Sequence, residues 1–237
     1  MFKVLFAILL SILPVFATEY NLYKPDNYQI RADENERILF IMDFSNSMRE
    51  NLDGRPKVEL MLDTMKKLLP SIPKGTSIGL RVYGHKQGFT AFDACRASSL
   101  MVPVGCSNAS EIIHSLNKTS PRGMTPITFS LKQAVKYDFL GFTGLKRIIL
   151  LTDGGENCDE SPCDYVMELV KIRKDIHIDV IAFNVEDQDD LAQLECTALV
   201  TSGKFYTANT AAELANSLTN SINIKKEVDA KILLPKS

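Results

Sequence analysis

Apolar positions in this chain alternate between short unbroken runs and stretches with helical spacing. Ile38-Leu39-Phe40-Ile41-Met42 and Ile148-Ile149-Leu150-Leu151 are continuous β-prone runs, the pattern of strands covered on both faces. A helix near 56–69 follows the first run, then strands over 77–83 and, after a loop, 98–104. Helices are predicted near 110–117 and 126–137, a strand over 146–152, a helix near 162–174 and a strand over 176–184. A helix near 189–201, a short strand over 204–207 and a helix over 211–222 complete the series. This βα alternation predicts an α/β fold with a mainly parallel sheet and helices on both faces.

The residues just past the first run bring in chemistry. Asp43-Phe44-Ser45-Asn46-Ser47 sets a carboxylate and two hydroxyls at alternate positions where a buried strand ends. Oxygen donors gathered at one point suit a hard divalent cation; Mg²⁺ takes them at about 2.0–2.1 Å and is usually held by one or two carboxylates. Two later segments add to the set. Gly123-Met124-Thr125-Pro126-Ile127 offers another hydroxyl, and Thr152-Asp153-Gly154-Gly155 ends the 146–152 run with a second carboxylate. A helix N-cap would account for Asp43 and Ser45, and a strand-ending turn for Asp153-Gly154-Gly155. Neither accounts for Thr125, nor for three such pieces in this order.

The set Asp-x-Ser-x-Ser, Thr, Asp resembles the metal-ion-dependent adhesion site of the von Willebrand factor type A domain family, over roughly 36–222. A bacterial exported branch of that family is similar in Leu80-Arg81-Val82-Tyr83-Gly84-His85, in Thr152-Asp153-Gly154-Gly155-Glu156-Asn157-Cys158, and in Leu194-Glu195-Cys196-Thr197-Ala198 leading to Ser202-Gly203-Lys204-Phe205-Tyr206. The resemblance implies a doubly wound six-stranded sheet with one short antiparallel edge strand. It places the strands that end in Asp43 and Asp153 side by side where the winding reverses, the crevice in which open α/β sheets bind ligands. Ser45, Ser47 and Thr125 are then the hydroxyl ligands. Asp43 and Asp153 neutralise the cation directly or through water, and Mg²⁺ is the expected ion, with Ca²⁺ and Mn²⁺ as alternatives. An open coordination position would accept an Asp or Glu carboxylate from a partner protein.

The rim of that site is expected from Tyr83-Gly84-His85, 86–94 and 156–162, with Phe89 and Phe92 as partner contacts or loop packing. His85 reads as a loop histidine, and Asp159, Glu160 and Asp164 as a solvated acidic loop. Two rival readings remain open: a metal-dependent hydrolase using the same residues, and a scaffold with a structural metal. Against the hydrolase, the sequence has no Gly-x-Ser-x-Gly, no phosphate-binding glycine loop, and no histidine or lysine placed beside the carboxylates as a base.

Composition narrows the setting. The chain has 237 residues, 45% hydrophobic and 24% charged, which suits one globular domain. A net charge of −2 and a pI near 6.0 disfavour a nucleic-acid surface. Lys3, the apolar stretch over 4–16 and Val15-Phe16-Ala17 read as an export signal over 1–17, too short for a comfortable membrane span and with no lipoprotein cysteine after it; a retained N-terminal anchor is the alternative. An extension over 18–35, the domain over 36–224 and a tail over 225–237 follow. The mature protein is expected to be exported, periplasmic or secreted, with no stable membrane insertion.

The five cysteines, Cys95, Cys106, Cys158, Cys163 and Cys196, all lie after the signal, where oxidation is possible. Cys95 and Cys106 flank a predicted strand that separates them by ~25 Å at ~3.3 Å per residue, too far for a bridge. The resembling branch matches the other four and leaves Cys106 as the free thiol. The preferred pairs are Cys95 with Cys158 and Cys163 with Cys196; a local Cys158–Cys163 loop is the competing arrangement. Zinc is a poorer third, since the three histidines are scattered and Cys-x-x-Cys is absent. The sequons at Asn108 and Asn117 are silent in a bacterium.

Overall fold

A computed structural model describes residues 36–222. The expected export signal, the extension over 18–35 and the tail over 225–237 lie outside the described residues. β1 (Arg37–Asp43) has all its residues buried, as an unbroken apolar run demands. A turn of 3-10 helix at Asn46–Arg49 leads to a hairpin of β2 (Asn51–Leu52) and β3 (Arg55–Pro56), then α1 (Lys57–Leu68). β4 (Ser77–Tyr83), the short α2 (Ala91–Ala94), β5 (Ser98–Gly105) and α3 (Ala109–Asn117) follow. α4 (Ile127–Gln133) runs into a π-helical turn at Ala134–Asp138. The chain closes with β6 (Lys146–Thr152), α5 (Pro162–Ile172), β7 (Ile176–Phe183), α6 (Gln188–Val200), β8 (Phe205–Ala208) and α7 (Ala211–Ile222).

The six-stranded sheet has the order β5-β4-β1-β6-β7-β8. All its pairings are parallel except β4 with β5. The antiparallel edge strand, expected over 98–104, spans Ser98–Gly105. Pro103 within it has no N–H to offer, a common way of blunting an exposed sheet edge. Alternate residues of β1 supply two cores. Ile38, Phe40 and Met42 pack with α1, α3 and α7, while Leu39 and Ile41 pack with α4, α5 and α6. The chain winds from β1 outward to β4 and β5, then returns to β6 on the other side of β1. The reversal lies between β1 and β6, and their C-terminal ends open a crevice.

The β2–β3 hairpin is absent from the sequence-based prediction, which gave Pro56 to the helix. Its turn residues Asp53 and Gly54 have φ of 53° and 79°, the left-handed pair that a two-residue hairpin turn requires.

Both preferred disulfides are present, Cys95–Cys158 and Cys163–Cys196, and Cys106 is free and exposed. The second joins α5 to α6 across a sequence separation of 33. A Cys163→Ser/Cys196→Ser protein is therefore expected to lose about 2–4 kcal/mol in urea denaturation. An unchanged midpoint would mean that Val166, Leu194 and Ala198 hold the two helices by packing alone. Among the described residues, no helix is long and apolar enough to cross a membrane.

Candidate metal centre

Asp43, the last residue of β1, is fully buried. Its Oδ1 accepts the Ser45 N–H at 2.6 Å, and its Oδ2 lies 3.0 Å from the Tyr83 hydroxyl and 2.9 Å from the Thr152 hydroxyl. Ser45 leaves the strand in an extended conformation, and its hydroxyl is 3.0 Å from that of Ser47. Ser47 donates to Asp153 Oδ1 at 2.7 Å, just past the end of β6. Ser45, Ser47 and Asp153 thus form a continuous chain of oxygens across the crevice, with Asp43 at its root.

The Thr125 loop is stitched alongside. Ser45 forms a bridge with Gly123, and the Asn46 N–H donates to the Gly123 carbonyl at 3.0 Å. Gly123 in turn donates to the Gly84 carbonyl at 2.7 Å. Gly84 has a φ of +70°, and a Cβ there would lie 2.5 Å from the Ser45 nitrogen, so only glycine lets the two loops approach. Thr125 is buried, and its N–H donates to Asn157 Oδ1 at 2.7 Å. Among the described residues its hydroxyl makes no hydrogen bond, to the other four or to anything else. Glu156 reinforces the clamp by accepting the Thr128 N–H at 2.7 Å.

Burial, followed by the charge of Asp153, pushes the Asp43 carboxyl up to about 7, against the pull of the Ser45 and Thr152 hydrogen bonds. Two carboxylates converge here in low dielectric with three hydroxyl oxygens at hand, one of them unengaged. That donor set fits a hard divalent cation. No cluster of three or more His, Cys, Asp or Glu occurs among the described residues, so the hydroxyls are essential to any such site.

Three side chains fall elsewhere than the sequence placed them. The first is Lys57, which corrects the expectation that no lysine lies beside the carboxylates. Its Nζ donates to Asp153 Oδ2 and to Glu50 Oε2, each at 3.1 Å, and its side chain is only 6% exposed. The hairpin carries it there, folding back so that the Lys57 N–H meets the Glu50 carbonyl at 2.9 Å. An Asp-Gly turn between a strand end and a helix was the available signal. Tyr83, expected at the rim, is instead fully buried beneath Asp43, and burial together with that carboxylate holds its phenol well above the usual range. Thr152, read only as the end of a strand, has its hydroxyl on the same carboxylate.

The rim otherwise follows the prediction. His85 is a loop histidine, its Nε2 3.1 Å from the Ser99 hydroxyl, and burial lowers its ring to about 4. Phe89 is fully exposed, and Phe92 is exposed with the Arg96 guanidinium 3.6 Å over its ring. Asp159, Glu160 and Asp164 are exposed, with Glu160 paired to Lys132 at 2.7 Å. The Cys95–Cys158 disulfide ties α2 to the loop carrying Asn157, joining two of the rim segments.

Known proteins extend this picture. The chain is 28% identical over 210 residues to the uncharacterized protein YwmC of Bacillus subtilis (strain 168), covering 87% of this chain and 88% of YwmC. It is similar in structure to proximal thread matrix protein 1 of the mussel byssus with a zinc-occupied MIDAS motif. The TM-score is 0.60 at 21% identity, over 81% of this chain and 46% of that one. The pilus adhesin SpaC of Lactobacillus rhamnosus GG gives a TM-score of 0.61 at 16% identity, over 79% and 29%. This chain therefore spans less than half the length of either solved protein, and those two likenesses are of fold. The sequence profile of the von Willebrand factor type A domain matches residues 38–220, and the chain belongs to that family.

Proposed function

We propose that this chain is a divalent-cation-dependent protein-binding module of an exported protein. The observation that carries this reading is the oxygen chain Ser45–Ser47–Asp153, set over Asp43 and beside the unengaged hydroxyl of Thr125. Ser45, Ser47 and Thr125 hold the cation through neutral oxygens, and Asp43 and Asp153 balance its charge as the metal-ion-dependent adhesion site of the family. Mg²⁺ suits this set best, with Ca²⁺ and Mn²⁺ as alternatives. The cation supplies a charge-assisted, directional contact to an Asp or Glu carboxylate of a partner. The pilus adhesin with the same fold and the zinc-occupied site of the mussel protein support the reading. Two disulfides suit an oxidising compartment, the periplasm or the cell exterior. Hydrolysis is the weaker reading, because serines that hold a cation are poor nucleophiles and the Lys57 amine is engaged by two carboxylates.

Titrating Mg²⁺, Ca²⁺ and Mn²⁺ calorimetrically into protein beginning at Thr18 tests this. One-site binding is expected, weakened in Thr125→Ala by at least about tenfold, the loss that even an outer-shell change at a metal site causes. A folded wild type that takes up none of the three ions would leave the family fold without this function.

A further inference from the structure

We infer that Lys57 is an internal counter-cation that holds the affinity of this centre for a divalent cation low. The inference rests on the reading of the centre given above and concerns how tightly it retains its ion. Lys57 opens α1, where an ammonium works against the helix dipole, and its burial adds a desolvation cost. The hairpin does not need the side chain, since the Lys57 backbone N–H already closes it onto Glu50. What the ammonium meets is Asp153, whose side chain is wholly buried, at 3.1 Å. Its second partner, Glu50, is 68% exposed and therefore solvent-screened.

Asp153 is thus engaged on both oxygens, Oδ1 by Ser47 and Oδ2 by Lys57. Asp43 and Asp153 offer two formal negative charges, and Lys57 offsets one of them. A divalent ion entering such a centre is attracted less than two unpaired carboxylates would attract it. Once there, it leaves a positive excess that an incoming carboxylate neutralises. The lysine therefore shifts the balance from holding the ion alone toward holding it together with an acidic partner.

The test is a titration of Mn²⁺ and Mg²⁺ into wild type, Lys57→Met and Lys57→Arg, with folding checked by circular dichroism. Methionine keeps the unbranched stem as far as the ε position, without the charge. Lys57→Met is expected to bind Mn²⁺ on the order of 10-fold more tightly or better. Lys57→Arg keeps the charge and is expected to stay close to wild type. If Lys57→Met does not fold, Lys57→Gln carries the same expectation. Equal or weaker binding by a folded neutral variant overturns the inference, since Lys57 would then serve only to position Asp153, while wild-type binding leaves the metal reading standing. No Mn²⁺ or Mg²⁺ binding by wild type or any folded variant overturns both.

Discussion

Replacing Asp179 with alanine is expected to cost about 3–5 kcal/mol of folding stability, the range for removing one partner of a buried ion pair. Asp179 lies in β7 and is fully buried. Its Oδ2 accepts from Arg147 Nη1 at 2.9 Å and from the Ser221 hydroxyl at 2.5 Å, while Oδ1 accepts the Lys204 N–H at 2.8 Å. One carboxylate thus joins β6, the residue that leads into β8, and the last turn of α7. Without it the Arg147 guanidinium keeps, among the described residues, the Glu36 carboxylate at 2.8 Å, and two other donors lose their acceptor. Asp179→Asn keeps the shape without the charge and should fall between the two. Urea denaturation measures both, and a loss below about 1 kcal/mol for alanine would mean that water takes over the three donors. Arg147 lies near the start of β6 and Asp153 just past its end, so cation binding by the folded fraction should be unchanged. The variant separates stability from site chemistry.

That separation also explains what the sequence revealed. β1 and β6 were legible because their central residues, covered on both faces, form unbroken apolar runs, and a polar residue ending such a run marks the crevice end of the sheet. Asp43 and Asp153 could therefore be placed together although they are far apart in the chain. Tyr83 could not be placed in the same way. Its position opposite Asp43 in the β1–β4 register follows from strand pairing, and only that register turns an apparent rim residue into one beneath the site. The π-helical turn was equally hidden, since it aims Asp138 at Arg81 Nε, 2.6 Å away and 57 residues distant, through a contact made only by the folded chain. β5 was legible over 98–104 although, as an edge strand, it buries only Val102 and Val104 and lacks the continuous apolar signature. Lys57 was hidden for a further reason: charge at the start of a helix reads as solvent-facing until the hairpin before it turns the side chain inward.

Asp43→Ala should abolish the response of the protein to divalent cations altogether. At a cation concentration about 100-fold above Kd the wild type should gain about 2.7 kcal/mol relative to a chelator-treated sample, and the variant should gain nothing. The effect should exceed that of Thr125→Ala because the two residues do different work. In the proposed centre Thr125 would contribute one neutral oxygen. Asp43 would contribute charge, and it fixes the Ser45 N–H, whose residue begins the oxygen chain to Ser47 and Asp153. In the cation-free protein the same change acts in opposing directions. Burial and the Asp153 charge make ionised Asp43 costly and push its carboxyl up. Alanine, however, removes the acceptor of the Tyr83 hydroxyl, a loss of about 1–3 kcal/mol. Stability without cation is therefore a poor discriminator, and the difference between melting curves with Mg²⁺ or Mn²⁺ and with chelator is the informative one. A variant that still shifts as far as wild type would show that any cation binds away from Asp43. The oxygen chain at the sheet crevice would then be a structural hydrogen-bond network that closes the β1–β6 reversal, and the adhesion-site reading would fall while the fold assignment stood.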